Sequence, residues 1–70
     1  MEKIKINTEF ITLGQLLKIT TIASSGGMAK MLLTELTITV DNELENRRGK
    51  KLYPGTVIKI SGHGSYEITK

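Results

Sequence analysis

Seventy residues make one domain, residues 1–70, with one thin hydrophobic core and no room for a deep catalytic cleft beside it. The absence of cysteine excludes disulfides and thiolate metal sites, and no stretch nears the ~20 apolar residues of a membrane span. A net charge of +3 is moderately basic and favours polyanionic partners, while a hydrophobic share of 39% is enough for a folded chain.

Lys3-Ile4-Lys5-Ile6-Asn7 alternates polar and apolar residues, which predicts a short strand with Ile4 and Ile6 inward. Thr12 is placed as a helix N-cap, with Gln15 at the capping-box position and Ile11 and Leu16 spaced for a hydrophobic staple. Leu13, Leu16 and Leu17 give this helix its apolar stripe, up to about Thr20 or Ile22. Gly14 within it costs about 1 kcal/mol of helix propensity. A second helix starts at Ser25, with Gly26 and Gly27 in its first turn and Ala29, Leu32, Leu33 and Leu36 on one face.

After Leu36 the hydrophobic period changes to two. Thr37–Val40 is a strand, Asp41-Asn42 a turn that tolerates left-handed geometry, and Glu43-Leu44-Glu45 the returning partner. An exposed loop, the turn Tyr53-Pro54-Gly55, a strand over Thr56–Ile60, the turn Gly62-His63-Gly64 and a strand over Ser65–Ile68 complete the chain. The order β-α-α-β-β-β-β predicts an α+β fold: two N-terminal helices packed on a small, mostly antiparallel sheet.

Two segments carry chemistry. Helix starts present unpaired N–H groups and a positive dipole end, so Ser25-Gly26-Gly27 is a candidate phosphate seat, with Met28 beside it and Lys30 one turn along. The alternative is a plain capped helix whose glycines permit tight packing. Four of the five residues Arg47-Arg48-Gly49-Lys50-Lys51 are cationic, which suits phosphate neutralisation as well as it suits a solvated loop. Arg47 and Arg48 offer planar forks to phosphate, and Asn46 either bonds a base edge or ends the strand. Asp41, Glu43 and Glu45 alternate along a strand and so share a face, more in keeping with a solvated surface than a metal site. His63, between glycines, sits in an exposed turn. No catalytic set, metal or cofactor is expected. Rings are few: Phe10 and Tyr66 are assigned to the core and Tyr53 is the third, which favours backbone and shape recognition over base stacking.

A capped first helix, a second helix opening with serine, a strand ending in a tight turn and a Pro-Gly-x-x-Ile-x-Ile strand together resemble the S-four (αL) RNA-binding domain. Ile11–Leu17, Ser25–Lys30 and Asn46–Leu52 are similar to the small stand-alone bacterial YaaA/YbcJ-like members. The resemblance covers about residues 8–68. It implies RNA binding, often to ribosomal or transfer RNA, through Ser25, Gly26, Gly27, Met28 and Lys30 on the second helix and Arg47, Arg48, Lys50 and Lys51 in the basic loop. Many members carry an arginine where Gly26 stands, and an Arg-Leu-Asp start to the first helix that is absent here. These departures imply a weaker hold on a long RNA helix or a different target.

The expected function is therefore a non-catalytic module that grips structured RNA by its phosphates. Its partners would be ribosomal or transfer RNA, the ribosome or its assembly intermediates, with neither a membrane nor a small-molecule substrate. Met1–Lys5 has no signal-peptide core, so a cytoplasmic protein is expected. A second reading stays open: a small protein-interaction adaptor using a sheet edge or the Met28/Met31 helix face.

Overall fold

The computed structural model describes residues 1–70. Strand β1 (Glu2–Lys5) is followed by the two-residue β2 (Ile11–Thr12), helices α1 (Leu13–Ile19) and α2 (Gly26–Glu35), then β3 (Ile38–Val40), β4 (Glu43–Leu44), β5 (Lys51–Leu52), β6 (Val57–Ile60) and β7 (Gly64–Thr69). The main sheet runs β1-β7-β6-β3-β4, antiparallel except for β1 and β7, and β2 pairs with β5 as a separate antiparallel ribbon. The class is α+β with two helices and a mostly antiparallel sheet. One β-strand more than the sequence order implies precedes the helices, and another lies within the stretch expected to be loop.

One face of the sheet supplies Ile4, Ile38, Val40, Ile58, Ile60, Tyr66 and Ile68 to the core. The helices cover it with Leu13, Leu16, Leu17, Ala29 and Leu33, all buried. The alternation in β1 and β6 and the helical stripe in α2 are thus the two halves of one apolar interior. Phe10 departs from its expected core position. It is half-buried, outside the core cluster, with its ring 5.6 Å from that of Tyr53 and the Lys51 ammonium 5.0 Å above it.

Local signals set most boundaries. Thr12 and Gln15 form a reciprocal capping box, the Gln15 N–H donating to Thr12 Oγ1 at 3.2 Å and the Thr12 N–H to Gln15 Oε1 at 2.8 Å. Helix α1 stops at Ile19, short of Ile22. The Thr20 hydroxyl donates back to the Leu16 carbonyl at 2.8 Å, and Thr21 turns left-handed at φ 62°. That conformation is costly for a β-branched residue. Asp41 and Asn42, at φ 51° and 70°, form the two-residue hairpin turn between β3 and β4. Asp41 leaves the strand there, its carboxylate accepting from the Val57 N–H at 3.0 Å, so Asp41, Glu43 and Glu45 do not form a shared strand face.

Candidate nucleic-acid interface

The residues from Arg47 to Lys51 are fastened along the start of α1. Thr12 pairs with Lys51 in the β2–β5 ribbon, the Leu13 N–H donates to the Lys50 carbonyl at 2.9 Å, and the Gly14 N–H donates to the Arg48 carbonyl at 2.9 Å. Amides that a helix normally leaves unpaired are here the attachment points of the basic loop. The contact is fitted to glycine at position 14, since any side chain there displaces that of Arg48. A Cβ there would lie 2.5 Å from Arg48 Cγ and 3.4 Å from the Arg48 carbonyl oxygen. The glycine that weakens α1 as a helix admits the loop that gives the surface its charge.

The start of α2 is built differently. Ser25 Oγ accepts from the Met28 N–H at 3.1 Å and the Ser25 carbonyl from the Ala29 N–H at 3.0 Å, while the Gly26 and Gly27 amides have no acceptor in the chain. An added Cβ at Gly26 would meet nothing within 4 Å. A cleft of about 280 Å³ runs between the two helices and the loop, lined by Gly14, Gln15 and Lys18 of α1, Gly26 and Ala29 of α2, and Arg48, Gly49 and Thr12. It contains two cations and no carboxylate.

Of the candidate residues, Gly26 and Arg48 meet in this cleft. Lys50, Lys51 and Arg47 line an adjoining hollow with Tyr53, and Gly49 belongs to both. Ser25, Gly27, Met28 and Lys30 lie on the exposed start of α2 outside the cleft lining, and Asn46 lines a hollow beside Leu44 and Leu36. Met28 is also held locally, its sulfur 3.4 Å from the Ser24 N–H. Lys18 escaped the sequence reading. Its signal was the four-residue spacing from Gly14, which puts both on one face of α1.

Arg47 is not a free cation. Its guanidinium donates from Nε to Glu45 Oε2 at 2.9 Å and from Nη2 to Oε1 at 3.0 Å. The same carboxylate accepts from the Arg47 and Asn46 backbone N–H groups at 3.0 and 3.2 Å. The side-chain bond from Arg47, reinforced by these backbone donors, lowers the Glu45 pKa from 4.5 to about 2. Glu45 is thus charged at every pH in ordinary use. The pair is the sole ion pair of the molecule. Lys18 and Arg48 line a cleft with no carboxylate, whereas Lys50 and Lys51 share a hollow with Asp41 and Glu43 without forming an ion pair.

An S4 domain model matches residues 4–69. The chain belongs to the S4 domain family. Within it, a protein of Bacillus subtilis (strain 168) described as "Probable ribosome maturation protein RlbA" is 52% identical over 65 residues, which cover 93% of this chain and 92% of that one. The S4 match spans every part of the surface described above, from the α1 anchor to the Tyr53 turn. No helix is long and apolar enough to cross a membrane.

Proposed function

We propose that this S4 protein is a non-catalytic module that binds structured ribosomal RNA and acts in the cytoplasm on the ribosome or its precursors. The observation that carries the reading is the cleft between α1, α2 and the basic loop. Lys18 and Arg48 both line it, with no carboxylate in the lining, and Gly26, whose amide has no acceptor in the chain, lines it as well. The start of α2 seats one phosphate through its amides and dipole. Arg48, Lys50, Lys51 and Lys18 neutralise neighbouring phosphates, and the fastened loop holds them as an array rather than as a mobile tail. Recognition is by backbone spacing and shape, because phosphate contacts position an RNA without reading its sequence. The ribosomal target draws its support from the description of the B. subtilis relative.

Neutralising about four phosphates gives a log–log salt slope of about −3 to −4, so affinity for ribosomal RNA falls roughly a hundredfold between about 50 and 200 mM salt. Replacing Lys18, Arg48, Lys50 and Lys51 with alanine should flatten that slope and leave the circular dichroism spectrum unchanged. An unaltered slope in the folded variant would remove the loop and the cleft from the mechanism. The adaptor reading rests on Met31 and Leu44, 49% and 77% exposed. It requires binding that ribonuclease and salt leave intact.

A further inference from the structure

We infer that Tyr53 is a stacking platform for one unpaired nucleobase next to the phosphate-binding loop; the inference rests on the RNA-binding reading above and adds a base-contacting residue to it. A single exposed ring would need no explanation. Three observations set this one apart.

The first is support. Tyr53 is 44% exposed, yet its ring rests against Phe10 at 5.6 Å with a 48° tilt, and Phe10 itself lies under Lys51. The second is backbone fixation. Tyr53 opens a tight turn through Pro54 and Gly55, closed by the Thr56 N–H donating to the Tyr53 carbonyl at 3.0 Å, with Gly55 at φ 95°. Proline restricts the residue before it to extended backbone, and the Gly55 N–H ties the turn to β7 through the Ile68 carbonyl at 2.8 Å. A ring held this way loses little freedom on binding. The third is charge. On one side Tyr53 shares a hollow with Arg47, Gly49, Lys50 and Lys51 and no carboxylate; on the other it meets a hollow where Asp41 and Glu43 stand beside the same two lysines and offset their charge. A nucleic-acid strand therefore approaches from the loop side, with phosphates on Lys50 and Lys51 and a base face over the ring.

The chemistry separates the roles. Ammonium and guanidinium groups hold phosphates, whereas the flat face of tyrosine attracts a base whose own face is free, and bases inside a duplex offer none. The preferred ligand is therefore an RNA helix interrupted or ended by an unpaired nucleotide, rather than an unbroken helix.

The test compares a blunt RNA duplex with the same duplex carrying one unpaired adenosine. The protein contains no tryptophan and two tyrosines, so a Tyr66→Phe background makes Tyr53 the only emitter in tyrosine fluorescence. The unpaired adenosine should raise affinity by about tenfold and quench Tyr53 emission, whereas the blunt duplex binds more weakly and leaves emission unchanged. Tyr53→Leu keeps apolar packing against Phe10 but has no flat face. It should abolish the preference without changing affinity for the blunt duplex, and Tyr53→Trp should retain the preference. An equal preference in Tyr53→Leu, or unquenched emission on the adenosine-bearing RNA, overturns the inference and leaves the phosphate-binding reading standing. Wild-type protein that binds neither RNA overturns both.

Discussion

The two helices open with the same ingredients, a hydroxyl cap and glycine in the first turn, and use them for opposite ends. At α1 the amides of Leu13 and Gly14 are spent on the Lys50 and Arg48 carbonyls, and Gly14 is needed because Arg48 crosses where a side chain would stand. At α2 the amides of Gly26 and Gly27 bond to nothing in the chain, and the space above Gly26 is empty. One helix start is an anchor, and the other keeps its first amides unbonded within the chain. Neither the cap residue nor the glycine separates the two. What separates them is whether a distant segment of chain comes to rest there.

The largest expected contrast comes from substituting those glycines. Gly14→Val forces the loop off α1 and should destabilise the protein by about 1–3 kcal/mol, the usual range for overpacking. Its urea midpoint should fall, and RNA affinity should fall with it even though no charge is removed. Gly26→Arg meets open space and should leave the midpoint unchanged or slightly higher. It adds a cation beside Lys18 and Arg48, which should steepen the salt slope by about one unit. Equal effects at the two sites would erase the distinction.

Glu45 sharpens the same comparison within the loop, since Arg47 is paired and Arg48 is not. Glu45→Gln frees Arg47 and should steepen the salt slope by just under one unit, measured by fluorescence anisotropy with a labelled ribosomal RNA fragment. The sign of the pH effect follows from the lowered pKa. The pair's contribution is complete above pH 4.5 and is lost as pH falls through about 2. A carbon-detected NMR titration should therefore find Glu45 still ionised at pH 3.5, where an ordinary glutamate is mostly protonated.

The smallest effect is expected at Thr21. Relief of its left-handed backbone by Thr21→Gly should stabilise the fold by up to about 1 kcal/mol with RNA affinity unchanged. Thermal unfolding checks the first part and a binding isotherm the second.

What could be read from the sequence was local. The Thr12–Gln15 capping box, the Ser25 cap, the Asp41-Asn42 hairpin and the Pro54-Gly55 turn are each encoded within four residues, and the structure contains all of them. The parallel pairing of β1 with β7 joins distant ends of the chain, and β2 and β5 are too short to show a period, so neither was legible. The same divide runs through the site. The charge of Arg47–Lys51 is a local fact, and so is the capture of Arg47 by Glu45 two residues before it. The meeting of Lys18 and Arg48 in one cleft depends on Gly14, a glycine that by helix propensity alone reads as a defect. A ring at position 10 reads as core because rings usually pack there, yet Phe10, just before β2, is half-buried against Tyr53 with Lys51 over it.

Backbone amide NMR during titration with a structured ribosomal RNA fragment tests the central claim most directly, because both helix starts are read in one spectrum. The Gly26 and Gly27 amides should exchange rapidly with solvent in the free protein, then shift downfield and become protected as phosphate takes the seat. Leu13 and Gly14 should be protected before and after, with little change. Movement of the Leu13 and Gly14 signals while Gly26 and Gly27 stay still would contradict the account.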